Sequence, residues 1–414
     1  MKQLPKSNVT IPSCNIHVPG GSLGRIVILL TALSVTTLVL ATFYWRPSVW
    51  QGIQGGGGGR GGCDLFSGEW VHDPYAPYYT NETCWAIHDH QNCAKHGRRD
   101  DGYMRWRWKP DGCELPSLSP QGFLDLVRNK SMAFVGDSVG RNQMQSLICL
   151  LSRAEYPILI DQSPDLKSIR WNYSMHNFML AHIWTTHLVR SVELDPVGPT
   201  NNGLFGLHLD EPDEGWLTQI EGFDYVIVSS GHWFFRPLIF YERGAVVGCH
   251  ECSRRDIIPV PNYYGYRMVF RTAFRAINTL RKYRGITFLR TFAPSHFENG
   301  TWNTGGDCTR TRPFTREEAV LEGTHMEFYK AQVEEFREAE KKRGSRRGAM
   351  RVIDVTKAMA MRPDGHPSRY GHWPHEEVKM PNDCVHWCLP GPVDVWNDLL
   401  FHMVNLEQQI SSDI

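Results

Sequence analysis

Neither sign of charge is in excess in this sequence: 44 lysines and arginines face 44 aspartates and glutamates among 414 residues. The basic stripe of a nucleic-acid binder is therefore missing, and no nucleic-acid partner is expected. Internal repeats are absent, and so are long apolar runs, with a single exception. A hydrophobic content of 41 % and a charged content of 21 % exclude both a polytopic membrane protein and a wholly disordered chain. At roughly 100–200 residues per domain, one large domain or two small ones would fit. Two residue types are plentiful instead. There are 14 tryptophans, and 11 cysteines, an odd number that needs explaining before it is read as a disulfide framework.

The single long apolar run is Ile26 to Trp45, uncharged and bounded by Arg25 and Arg46. At 1.5 Å per residue, 20 residues in a helix span about 30 Å, the thickness of a bilayer core. A secretory signal would be shorter and would end in small residues, which Phe43-Tyr44-Trp45-Arg46-Pro47 does not supply. An uncleaved anchor over 26–45 is the expectation. Lys2, Lys6 and Arg25, with no acid among them, keep residues 1–25 on the cytosolic side and send the rest across, a single-pass type II topology.

That topology sorts the cysteines. Cys14 stays in the cytosol, and the other ten meet an oxidising compartment where bridges persist. Sequons at Asn81, Asn129, Asn172 and Asn299 agree with a secretory setting, while the one at Asn8 falls on the wrong side. Residues 46–62 form a Gly-rich stem. From Cys63 to the end the composition is globular, predicting one domain over 63–414 with a Cys-rich subregion at 63–120.

Within that domain, short apolar runs at Ser131–Val135, Tyr225–Ser229, Ile286–Leu289 and Met350–Val355 predict buried strands. Helical stretches accompany them at Gly140–Leu151, Tyr266–Lys282 and Glu317–Lys341, with a last one at Val393–Gln409. Strand alternating with helix predicts an α/β fold with a central parallel sheet, and ligands then bind beyond the carboxyl ends of the strands.

Beyond the first strand, Gly136-Asp137-Ser138 leads directly into a helix. A serine on such a turn exposes its hydroxyl and has its own N–H at a helix amino terminus, the geometry a nucleophile needs. Alone, Asp-Ser there reads equally as a helix cap. Far downstream, Asp383-Cys384-Val385-His386-Trp387-Cys388 puts an acid and a base three residues apart on a segment held by two cysteines. An imidazole that takes the serine proton works best when a carboxylate holds its tautomer, and Asp383 with His386 supplies both. Zinc held by His386 with Cys384 and Cys388 is the competing reading. Secretory cysteines are more often bridged than metallated, so no metal is expected.

The blocks FVGDSVGRNQMQSL and DCVHWCLPGPVDVWND resemble the two signatures of the plant trichome birefringence-like proteins, the PC-esterase group. CDLFSGEWV, HGRRDDGYMRWRWKPDGCELP and RPDGHPSRYG are similar to further blocks of that family, in its order, from Cys63 to the end. The resemblance implies a Golgi polysaccharide O-acetyltransferase with a three-layer fold like the SGNH/GDSL esterases, preceded by one transmembrane helix. It implies Ser138 as nucleophile, His386 as base and Asp383 as its orienting acid, with an acetyl donor such as acetyl-CoA and no resident cofactor. For the oxyanion it leaves Ser138 N–H first, with Gly231, His232, Arg141 and Asn142 as weaker candidates, because Ser-Gly-His-Trp departs from the Gly-x-Asn-Asp block of SGNH esterases. By analogy with the family the bridges are Cys63–Cys113, Cys84–Cys149, Cys93–Cys388 and Cys308–Cys384. Cys249 and Cys252 are left over, as a local disulfide or as a zinc or redox Cys-x-x-Cys.

Aromatic rings stack on the apolar faces of sugars, so some tryptophans are expected to meet the acceptor. Trp233 and Trp387 adjoin the active-site loops and are the candidates, whereas Trp106 and Trp108 share one strand face, where core packing is the fate of at least one. The CLPGPVDVWNDLL ending resembles the xyloglucan-acetylating branch, which favours xyloglucan over xylan, mannan or pectin. The expected partners are a polysaccharide acceptor, the Golgi membrane and other wall-synthesis proteins. A carbohydrate acetylesterase, in which water takes the acyl group, and a non-catalytic wall-polymer binding protein are the rival readings.

Overall fold

The computed structural model describes residues 63–195, 203–344, 348–373 and 381–412. The expected cytosolic tail with Asn8 and Cys14, the anchor at 26–45 and the stem at 46–62 lie outside the described residues. Among those described, no helix is long and apolar enough to cross a membrane.

The chain opens with an antiparallel pair, β1 (Asp64–His72) and β2 (Trp106–Asp111). Trp70 and Trp108 face each other across it with ring centroids 5.7 Å apart. Both are buried, and both indole N–H groups donate to backbone carbonyls, of Ala358 and Leu65. Trp106 is half-buried beside His72.

Helix α1 (Pro120–Leu126) leads to β3 (Ser131–Gly136) and α2 (Ser138–Leu151). There follow β4 (Ile158–Gln162), β5 (Ser168–Tyr173), β6 (Phe178–Trp184), β7 (Val189–Glu193), β8 (Phe205–Pro212), β9 (Tyr225–Ser229), β10 (Leu238–Glu242) and β11 (Ala245–His250). Then come α3 (Asn262–Thr279), β12 (Ile286–Arg290), α4 (Gly323–Lys341), β13 (Met350–Ile353) and α5 (Asp394–Ser412). Seven strands make the main sheet in the order β13-β12-β9-β3-β6-β5-β4, and β11-β10-β8-β7 make a smaller one.

The inner strands β12, β9, β3 and β6 are buried on both faces. Met132 and Phe134 of β3 join one core with α2 and α5, while Ala133 and Val135 join the other with α3 and α4. Double burial is why these strands read as continuous apolar runs rather than alternating ones. The expectation of a parallel sheet holds for β13, β12, β9, β3 and β6 and needs correcting beyond them. Strand β5 pairs antiparallel with β6, and β4 antiparallel with β5, so the sheet is mixed. At this edge all five residues of β4 are exposed, so no core-facing pattern marked it in the sequence.

Candidate active site

Ser138 sits where β3 turns into α2, at the carboxyl end of the strand. The turn is tight because β3 pairs with β9 to its last residue: a Cβ on Gly136 would lie 2.2 Å from the Ser229 carbonyl oxygen. Asp137 caps the helix, its Oδ1 accepting from Val139 N–H at 3.0 Å, and its Oδ2 accepts from Gly231 N–H at 3.1 Å. Burial raises this carboxyl above the ordinary range, with the buried Arg290 guanidinium as the main opposing influence. One side chain thus ties the serine turn to the segment after β9.

The hydroxyl of Ser138 lies 2.7 Å from His386 Nε2, and His386 Nδ1 lies 2.8 Å from Asp383 Oδ2. A carboxylate only accepts, so Nδ1 carries the proton and Nε2 is the lone pair that receives the serine O–H. Asp383 Oδ1 accepts the backbone N–H groups of Val385 and His386 at 3.1 and 2.9 Å, which fixes the carboxylate against the base it orients. Burial by itself lowers the His386 imidazole, but the charge and hydrogen bond of Asp383 outweigh it, and the net shift is upward. The same pairing overcomes burial at Asp383 and holds its carboxyl far below the usual range. A hydroxyl, a lone-pair nitrogen and a fixed carboxylate in line can pass a proton from a serine to an imidazole and back.

Two disulfides flank the loop, Cys308–Cys384 and Cys93–Cys388, so neither cysteine is available to a metal beside His386. Cys63–Cys113 closes the first hairpin, Cys84–Cys149 fastens the amino-terminal region to the end of α2, and Cys249–Cys252 forms a local bridge. Behind the loop, His366 donates from Nδ1 to the His386 carbonyl at 2.7 Å and stacks on Trp387 at 4.0 Å. The RPDGHP block that contains His366 stood out in the sequence, but nothing there singled out its histidine. Arg290 left no local signal either, because the charge it brings towards Asp137 comes from a strand far along the chain.

Four expectations are corrected. Trp387 is fully buried and packed on His366 and Trp396, so it cannot meet an acceptor. Asn142 is fully buried, its amide spent on the backbone of Trp387. The Gly231 N–H is spent on Asp137. The His232 ring donates from Nε2 to the Ala293 carbonyl, and burial pushes its pKa down to about 3, so its other nitrogen is a lone pair and the ring cannot serve an oxyanion, while its backbone N–H makes no hydrogen bond among the described residues. Arg141 remains. Its guanidinium lies 5.3 Å from the Trp184 ring, it is half-buried, and it makes no ion pair among the described residues. Trp233 is half-buried, 6.4 Å from Trp184. Of the sequon asparagines, Asn129 and Asn299 are exposed and Asn81 and Asn172 are half-buried.

The sequence profile of the PC-esterase family, described as GDSL/SGNH-like acyl-esterases found in Pmr5 and Cas1p, matches residues 115–403. The chain belongs to the PC-esterase family. The residues before that stretch, 61–114, match a second profile, the PMR5 N-terminal domain, which covers the Trp-paired hairpin. Among curated relatives, the protein trichome birefringence-like 19 of Arabidopsis thaliana is 54 % identical over 84 % of this chain and 82 % of its own length. Xyloglucan O-acetyltransferase 4 of Populus trichocarpa is 45 % identical over 82 % of this chain and 80 % of its own. Xyloglucan O-acetyltransferase 2 of Arabidopsis thaliana is 44 % identical over 83 % and 82 %. The PC-esterase match spans Ser138, Asp383 and His386, and ends within α5.

Proposed function

We propose that this PC-esterase protein is a polysaccharide O-acetyltransferase that works through an acetyl-serine at Ser138, with xyloglucan as acceptor. The observation that carries the reading is the 2.7 Å contact of Ser138 Oγ with His386 Nε2, braced by Asp383 at 2.8 Å. Relatives named xyloglucan O-acetyltransferase at 44–45 % identity support acetyl as the group and xyloglucan as the acceptor.

The reaction has two halves. Ser138 Oγ bonds to the carbonyl carbon of the acetyl donor as its proton moves to His386 Nε2. The tetrahedral intermediate then expels the donor's leaving group, which takes that proton. A sugar hydroxyl enters, gives its proton to Nε2 and bonds to the acyl carbon, and the Ser138 oxygen leaves and recovers the proton. The Ser138 N–H at the start of α2, the His232 backbone N–H and the Arg141 guanidinium are the groups available to the oxyanion. The donor is acetyl-CoA or another activated acetyl compound, and no metal or resident cofactor takes part.

The same reading puts the protein in the Golgi membrane, anchored by residues 26–45 with the domain from Cys63 in the lumen and its sequons available for glycosylation. The test uses the full chain with a labelled acetyl donor and xyloglucan, xylan, mannan and pectin oligosaccharides, mapping products by NMR. Acetylated xyloglucan, lost in Ser138→Ala, is the expected result. Free acetate with no acetylated acceptor would make the protein an esterase. Preference for another polymer would move the acceptor assignment.

A further inference from the structure

Beyond Ser138, cationic and aromatic side chains alternate along the molecule. Arg141, one turn along α2, lies against Trp184 at the end of β6. Trp184 meets Trp233 nearly at right angles, with centroids 6.4 Å apart. The Arg236 guanidinium sits 4.4 Å from the Trp233 ring and 5.4 Å from that of Trp302, which comes from the loop after β12. Trp302 is 36 % exposed, and Arg236 is half-buried. Phe205 and His187 pack on Trp233 edge to face and hold its indole in place.

The chemistry of this arrangement is specific. A planar guanidinium held near two indoles keeps its N–H donors in the plane of the fork, where they can reach hydroxyl oxygens, and its orientation is already set before a ligand arrives. An exposed indole beside it offers a flat apolar face of the kind that covers the axial C–H groups of a sugar ring. N–H donors for sugar hydroxyl oxygens and a stacking face side by side fit a neutral sugar. Burial lowers the Arg236 pKa, with Glu193 opposing, yet no carboxylate among the described residues forms an ion pair with it.

We infer that Arg236 and Trp302, seated on Trp233, form a subsite for a neutral sugar residue of the acceptor polymer, away from the residue that receives acetyl. The inference rests on the transferase reading above and deepens it. The subsite acts on acceptor binding and leaves the donor half-reaction alone. Long acceptors reach both it and Ser138, and short ones do not. Trp302 and Arg236 therefore set the preference for polymer over oligosaccharide.

The test compares Trp302→Ala and Arg236→Gln with the wild-type full chain in three assays. With long xyloglucan oligosaccharides, KM should rise about tenfold, the loss of one stacking contact, while kcat stays within twofold. With the shortest acceptor that is still acetylated, both constants should be unchanged. Hydrolysis of p-nitrophenyl acetate, which needs only the serine half-reaction, should also be unchanged, whereas a merely structural role would depress it. Equal KM values for long acceptors in Trp302→Ala and wild type would overturn the subsite. Affinity electrophoresis of Ser138→Ala, with and without Trp302→Ala, in gels containing xyloglucan or β-glucan separates the two claims. Retardation lost with Trp302 supports the subsite even if no acetylated polymer is ever formed. Retardation that is identical with and without Trp302 rejects it while leaving acetyl transfer untouched.

Discussion

The side-chain amide of Asn142 pairs with the backbone of Trp387 in both directions: Oδ1 accepts from the Trp387 N–H at 2.8 Å, and Nδ2 donates to its carbonyl at 3.2 Å. Asn142 stands four residues after Ser138 on α2, and Trp387 follows His386 on the loop. The pair therefore sets the nucleophile and the base against each other across 245 residues of chain, inside a fully buried contact.

Replacing Asn142 by leucine leaves a buried N–H and a buried carbonyl without partners, a cost of about 1–3 kcal/mol for each group. Denaturant unfolding of Asn142→Leu should show this loss. Turnover of an aryl acetate should fall through kcat, with KM within twofold, because the imidazole is no longer held at hydrogen-bond distance from the hydroxyl. An unchanged kcat would show that the loop keeps its position without this link.

The His386 imidazole must be neutral to accept the serine proton. Asp383 raises its pKa despite burial, so kcat/KM should fall on the acid side through an ionisation lying above the ordinary histidine value of about 6.5. In Asp383→Asn the opposing carboxylate is gone, burial prevails and the acid limb should move below that value. The plateau should also drop by roughly 10⁴-fold, since the amide no longer selects the tautomer with the proton on Nδ1. A pH–rate profile of both proteins decides the matter. An acid limb in the same place in the two would separate it from His386.

Cys308–Cys384 and Cys93–Cys388 close stretches of 76 and 295 residues, whereas Cys249–Cys252 closes three. Constraint of the unfolded chain grows with loop length, and the long bridges contribute about 2–5 kcal/mol each. Paired Cys→Ser replacement at 308 and 384 should therefore lower both the melting temperature and acyl-enzyme formation, as the Asp383–His386 segment loses one of its clamps. The same change at 249 and 252 should lower stability less and leave aryl acetate turnover intact.

Burial raises the carboxyl of Asp398 to about 7 and that of Asp394 to about 6. Their folded pKa values lie above the unfolded ones, so over this range the native state binds more protons than the unfolded state. The contribution of this pair therefore gains in favour of folding as pH falls from 7 towards 4. Asp398 Oδ1 accepts the Leu118 N–H at 2.7 Å, a bond that an amide oxygen can keep. Asp398→Asn should be neutral or stabilising at pH 7, and its unfolding free energy should vary less between pH 4 and 7 than that of the wild type. A steeper dependence in the variant would contradict this.

Much of the framework was legible in the chain because buried parallel strands and amphipathic helices carry local patterns. Tyr225–Ser229 was read to the residue, and α2, α3 and α5 within a few. The beginning of α4 was not, since Glu317–Glu322 is made mostly of good helix formers (Glu, Ala and Leu), yet the chain turns at Gly323, where φ is +54°. Strands β4, β7, β8, β10 and β11 escaped for another reason: they lie at the sheet edge or in the smaller sheet, and their residues are partly exposed with no fixed period. Strands β5 and β6, inside the main sheet, escaped because polar residues such as Arg170, Asn172 and His182 interrupt their apolar positions.

By itself, the sequence determined which residues can do chemistry. A serine at a strand-to-helix turn and an acid three residues before a histidine are short-range facts, written in neighbouring letters. Only the tertiary structure decided which polar groups are still free. The Gly231 N–H, the His232 ring and the Asn142 amide carry donors in the sequence, but each of these is committed to a carboxylate or carbonyl far away in the chain. Trp387 looked suited to a sugar until packing on His366 enclosed it. A given N–H is spent once it has a buried partner, and a ring face once it is covered, and which partner arrives is settled by contacts across hundreds of residues.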